Sequence, residues 1–208
     1  DAALAKKYGD AVEKSYETVD AIVGDAAKTL APEDVLIVLS DHGFATWRRS
    51  VNYNSWLVEN GYLVLTGGAQ RKSLEALFSR GAFWENVDWS KSRAYAMGLG
   101  DVYVNLRGRE KDGLVAPGAE YEALRAELIA RLTALSDPAN GERAVSRVFK
   151  REDVYRRFDA RTIPDLIVTN TAGYRVSWQA SLGVPTANVF EDNRDVWSGD
   201  HCSVDPDL

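Results

Sequence analysis

The sequence predicts an α/β fold, and two observations carry that prediction. An amphipathic stretch over residues 3–30 runs straight into a continuous apolar run, Val35-Leu-Ile-Val-Leu39. A second apolar run, Leu166-Ile-Val-Thr169, follows Pro164-Asp165 late in the chain. A helix leading into a strand that is apolar on both faces is the unit of an α/β sheet, and such strands belong to mainly parallel sheets.

The elements follow in order. Tyr8, Val12, Tyr16, Val19, Val23, Ala26 and Leu30 recur on three- and four-residue steps, so residues 3–30 read as one helix with one apolar face. Ala31-Pro32-Glu33-Asp34 ends it. Val35 to Leu39 then reads as a buried strand. Asn54 to Gly61 reads as a short helix stopped by the glycine, followed by a strand over Tyr62 to Leu65 and a loop at Thr66-Gly67-Gly68. Residues 71–92 are mixed, with a helix around Leu74 to Phe78. Arg93 to Met97 and Asp101 to Leu106 read as a hairpin across Gly98-Leu-Gly100. Tyr121, Leu124, Leu128 and Leu132 form the stripe of a helix over Glu120 to Leu135. Ala144 to Phe149 and Leu166 to Thr169 read as strands. The remainder reads as loop-rich, with Trp178, Trp197 and a turn at Ser198-Gly199-Asp200-His201. No repeat or linker divides the chain.

Composition narrows the function classes. The 208 residues carry 31 acidic against 25 basic side chains, a net charge of −6. Nucleic-acid and membrane-surface binding both call for a basic face, so neither partner is expected. The short basic pairs Arg48-Arg49, Lys150-Arg151 and Arg156-Arg157 read as solvated surface. A lone cysteine, Cys202, rules out an internal disulfide and a Cys-x-x-Cys metal site, and it is compatible with a cytoplasmic home. No apolar stretch reaches membrane-spanning length, and the first residues do not form a signal peptide. The chain opens on Asp1 and stops abruptly after Val204-Asp-Pro-Asp-Leu208, as a fragment of a longer protein would.

The chemistry gathers where the first apolar run ends, at Ser40-Asp41-His42-Gly43. In open α/β sheets functional loops lie at the carboxyl ends of strands. Asp41 and His42 would face opposite ways on a strand, so they can converge on one ion only in a turn, which Gly43 permits. Carboxylate plus imidazole suits a borderline divalent ion such as zinc. The other histidine of the chain, His201, also follows an Asp and a Gly. The bland alternative is a turn whose Asp caps a backbone amide. No GxSxG, GxGxxG, Walker loop or HExxH occurs, so the residues alone leave a metal or acid–base site and a simple turn both open.

Ile37-Val-Leu-Ser-Asp-His-Gly-Phe44 resembles the "apolar strand, then SDHG" hallmark of the alkaline-phosphatase superfamily, in its type I phosphodiesterase/nucleotide pyrophosphatase branch. The long helix before it, Asn54, Trp56-Leu57, Gly61-Tyr62-Leu63 and the late Gly199-Asp200-His201 agree with that branch. The resemblance implies a two-metal hydrolase of phosphate-ester small molecules. Asp41 and His42 would bind the metal beside the nucleophile, and His201 the other. Zinc is the expected ion and manganese the alternative. Asp200 would support His201 from beside it. The nucleophile, a Thr or Ser, would lie upstream, since the family's Asp-x-x-x-His pair and nucleophile helix have no counterpart here. The resemblance therefore implies a mainly parallel sheet between helices, incomplete at its N-terminal end. A smaller α/β excursion is expected near residues 67–140, and the chain alone should be inactive.

Other residues take structural readings. Trp56 and Leu57 read as core, and Asp165 as a cap or turn residue. Tyr174, Trp178 and Trp197 read first as packing for the loops, with a leaving-group wall as the alternative. Asn188 to Arg194 reads as a surface loop, and Cys202 as a half-buried thiol. Rival functions are an inactive binding or structural domain of the same fold, which predicts no metal at Asp41 and His42, and a sulfatase or phosphomutase. The sulfatase needs a formylglycine precursor upstream, and the mutase further His and Asp ligands near its late site.

Overall fold

The computed structural model describes residues 2–67, 84 and 86–201. The chain divides into two compact units, Asp1–Gly43 and Phe44–Leu208, each treated separately below. The helix expected around Leu74 to Phe78 lies outside the described residues, as does Cys202.

In the first unit the single helix expected over 3–30 is two, α1 (Ala2–Tyr8) and α2 (Ala11–Ala27). Gly9, a poor helix former, ends the first, and Asp10 starts the second by accepting from the Lys14 amide at 3.0 Å. The expected strand over Val35 to Leu39 is absent. Its five side chains are 43–81 % exposed, and the segment pairs with no strand among the described residues. An apolar run favours extended backbone, but only ladder partners make it a strand. The stripe on α2 is likewise exposed at Val12, Tyr16 and Val19.

The second unit holds two sheets. Strand β1 (Ala45–Val51) is the centre of a mixed sheet, and helix α3 (Tyr53–Glu59) follows it. The hairpin β2 (Ala94–Met97) and β3 (Asp101–Val104) forms as expected. Helix α4 (Ala119–Thr133), strand β4 (Val145–Lys150), the short helix α5 (Arg151–Val154) and strand β5 (Leu166–Asn170) complete an antiparallel sheet ordered β2-β3-β5-β4, with α4 and α5 outside the ladder. The last segment returns to the first sheet as β6 (Gly173–Val176), helix α6 (Trp178–Ser181), β7 (Phe190–Asp192) and β8 (Gly199–Asp200). In that sheet β1 runs parallel to β6 and antiparallel to β7 and β8. The architecture is thus mixed α/β, and the expected mainly parallel sheet is not what the described strands form.

One apolar cluster joins both sheets, from Val51, Tyr53 and Leu57 to Val102, Leu166 and Val176. The α4 stripe is as read: Tyr121, Leu124, Leu128 and Leu132 are all buried. Fully burying a leucine contributes about 1.5–3 kcal/mol, so this face fixes the helix on the sheet. Trp56 and Leu57 are core, as expected. Asn52 caps α3 by accepting from the Ser55 amide at 3.0 Å, and Gly61 closes it at φ +72. Asn54, fully buried, donates to the Ala96 carbonyl and accepts from the Ala96 amide, which stitches α3 to β2. The expected strand at Tyr62 to Leu65 is reduced to one bridge, Leu65 to Val87.

Three expectations of surface or turn residues fail here. Arg49 pairs with the fully buried Asp137, and Arg151 is buried against Asp165 and Glu152. Asp165 is no simple turn residue but a buried hub. Its carboxylate accepts from Arg109 at 2.6 and 2.9 Å, the Tyr121 hydroxyl at 2.6 Å, Arg151 at 3.1 Å and the Val104 amide at 2.7 Å. No helix among the described residues is long and apolar enough to cross a membrane.

The hairpin turn makes a pH prediction. Gly100 sits at φ +111 with its Cα against the Val168 carbonyl, so no other residue fits there. The turn leaves Asp101 partly buried, and that burial pushes its carboxyl up to about 6 from 3.8. A raised folded value means the folded chain holds its proton longer than the unfolded one. Stability attributable to Asp101 is therefore flat below about pH 4, falls as pH rises to about 6, and is flat above. Asp101→Asn should stabilise the protein at pH 7 and be neutral at pH 3.5, as read by thermal melts across that range. Equal effects at both pH values would contradict the assignment.

Candidate functional site

The first unit contributes Asp41 and His42. Ser40 donates to the His42 carbonyl at 2.7 Å, which bends the chain into a turn after the apolar run. Within it His42 Nε2 stands 3.5 Å from Asp41 Oδ2, so the two side chains do converge. His42 Nδ1 lies 2.9 Å from the Gly43 carbonyl. The Gly43 carbonyl and the Asp41 carboxylate both accept, so each ring nitrogen of His42 faces an acceptor. A backbone carbonyl fixing the far ring nitrogen is the usual support of a metal-binding histidine. The turn is exposed: Asp41 has 88 % and His42 43 % of its side chain accessible.

The second unit contributes Asp200 and His201. The expected turn at 198–201 is in fact the strand β8, with Asp200 opposite Ala45 and Gly199 opposite Thr46, and the Trp47 amide donating to the Ser198 carbonyl at 2.8 Å. Phe44 lies over Gly199, where a Cβ would collide with its ring. The same ring stacks on His201, with centroids 6.1 Å apart and planes 7° from parallel. A side chain at position 199 would push the Phe44 ring out of that stack.

Beside this strand end is a cavity of about 440 Å³ lined by Phe44, Arg175, Trp178, Trp197, Asp200 and His201. Trp178 and Trp197 line this cavity. Tyr174 does not: it is buried, and its hydroxyl binds Asp137 and Asn140. The loop over Asn188 to Asp195 instead borders a second cavity of about 540 Å³, together with Arg49 and Arg175.

Arg175 is the residue that sequence reasoning missed. It is 4 % exposed, and its guanidinium lies between the Trp47 and Trp178 rings, 4.9 and 4.4 Å from their centroids. Its Nη1 stands 3.4 Å from Asp200 Oδ1. The signal was present in Tyr174-Arg175-Val176-Ser177-Trp178, an arginine inside an otherwise apolar and aromatic strand.

Among the described residues no three His, Cys, Asp or Glu side chains form a ready metal cluster. Asp41 and His42 fit the donor chemistry of zinc as two of the four ligands it takes, and the orientation of the His42 ring suits that use. The two expected metals draw on separate units, Asp41 and His42 from the first and His201 from the second.

Residues 3–196 match the model of a protein family described as type I phosphodiesterase / nucleotide pyrophosphatase. No curated protein and no solved structure gives a significant match.

Proposed function

The chain belongs to the type I phosphodiesterase/nucleotide pyrophosphatase family, and from that premise we propose that it serves metal-dependent hydrolysis of a phosphodiester in an alkaline-phosphatase-like catalytic domain. The observation that supports the reading is the Asp41–His42 convergence, with His42 Nε2 and the Asp41 carboxylate 3.5 Å apart. Asp41 and His42 would hold one divalent ion and His201 the second, zinc in preference to manganese. Bound there, such ions supply charge neutralisation at the attacking and leaving oxygens of an in-line displacement.

The protein's own groups prepare that chemistry. The Gly43 carbonyl holds the His42 ring through Nδ1. Phe44 holds the His201 ring in plane, and the β1–β8 ladder holds its backbone. Trp178 and Trp197 offer apolar rings to the leaving group. The nucleophile, a Thr or Ser by the family resemblance, lies outside these 208 residues, so the isolated chain is expected to be inactive.

The test is hydrolysis of a chromogenic phosphodiester and the matching monoester by the intact protein, after chelation and after readdition of zinc or manganese. Diester turnover that vanishes on chelation and returns with metal supports the proposal. A folded, metal-free protein inert to every ester would leave Asp41-His42-Gly43 as a turn in a non-catalytic domain.

A further inference from the structure

The two indoles leave the Arg175 guanidinium only its in-plane edges for hydrogen bonding. Nε donates to the Val176 carbonyl at 3.1 Å, and Nη1 faces Asp200. Nη2 is buried and has no hydrogen-bond partner among the described residues. A guanidinium keeps its charge at any physiological pH, and a buried donor left unmade is costly unless something supplies an acceptor. One carboxylate at 3.4 Å answers part of that charge, and nothing described answers Nη2.

We propose that Arg175 Nη2 is the donor of an oxyanion subsite, binding a non-bridging oxygen of a phosphate group held in the cavity between Phe44, Trp178, Trp197 and His201. Arg175 borders both cavities, and His201, the proposed ligand, lines only the smaller. The larger balances Arg49, Arg175 and Arg194 against Glu191, Asp192 and Asp195, and holds neither histidine. The smaller carries a single carboxylate, Asp200, already turned to Arg175. Nη2 is shielded, so the anion reaches it as the half-exposed Trp178 or the exposed Trp197 moves aside. Binding should therefore change indole fluorescence. The proposal deepens the hydrolase reading and rests on it for the source of the phosphate group; the anion contact itself does not need turnover.

Inorganic phosphate is titrated into the intact protein, with chelator and then with zinc, and followed by tryptophan fluorescence against chloride at equal ionic strength. Wild type should respond saturably to phosphate. Arg175→Lys keeps the charge beside Asp200 but loses the planar fork, and should weaken phosphate binding roughly tenfold to a hundredfold. Arg175→Gln should abolish it. If the Gln variant does not melt cooperatively, the Lys variant decides. Phosphate affinity unchanged by Arg175→Lys, or no response of wild type in either condition, overturns the subsite. Phosphate binding that depends on Arg175 in a protein that turns over no ester would keep the subsite and remove the hydrolase reading. Ester turnover with phosphate affinity indifferent to Arg175 would do the reverse.

Discussion

Asp165→Ala lowers the melting temperature of the 44–208 unit by roughly 10 °C or more. Asp165 is fully buried and is shared by Arg109, Arg151, Tyr121 and the Val104 amide. It joins β3, α4, α5 and the start of β5 through one carboxylate. Burial disfavours the Arg109 charge, yet hydrogen bonding to Asp165 raises its proton affinity overall, and burial with the same partner raises that of Tyr121. Removing the carboxylate leaves two largely buried guanidinium groups facing each other's charge. Breaking a buried pair this way costs about 3–5 kcal/mol. In a unit of this size each kcal/mol moves the melting point by about 2–4 °C. Asp192, which pairs with Arg49 but is 57 % exposed, supplies the contrast. Asp192→Ala should barely move the melt, because water screens that pair. A melt of Asp165→Ala within about 2 °C of wild type would mean the hub carries no structural weight.

His42→Ala and His201→Ala should each reduce phosphodiester turnover about a thousandfold with the fold intact. Both side chains sit at exposed positions, so truncation removes no core contact. The loss follows from the function proposed: a metal contributes several kcal/mol to charge stabilisation at phosphorus, and about 4 kcal/mol corresponds to a thousandfold. Asp200→Asn should be milder, about tenfold to a hundredfold, as for a residue that only supports a ligand. Three melts matching wild type would assign the losses to chemistry. A His42→Ala variant with full turnover would remove His42 from the site.

The elements legible in the sequence were those whose pattern is local. The α4 stripe, the β2–β3 hairpin with its glycines, and the apolar cores of β4 and β5 needed no knowledge of distant partners. The mixed sheet went unread for the opposite reason. Its central strand, Ala45-Thr-Trp-Arg-Arg-Ser-Val51, buries only Trp47 and Val51, is irregular between Trp47 and Arg49, and places Arg49 against an acid 88 residues away. No alternation survives that. Val35 to Leu39 erred the other way, since an apolar run states a preference for burial and cannot supply the ladder. Asp41, His42 and His201 could be proposed as ligands from motifs that are local in the sequence. Arg175 could not, because its environment is built from Trp47, Trp178 and Asp200, three separate stretches of chain.

Metal content per chain tests the central claim most directly, measured by elemental analysis on the intact wild type and on His42→Ala and His201→Ala after equilibration with excess zinc and removal of the unbound metal. Assignment of Asp41 and His42 to one ion and His201 to the other predicts two zinc ions in wild type and a loss of one in each variant. Stoichiometry unchanged by either substitution, or wild type that retains no metal, would contradict it.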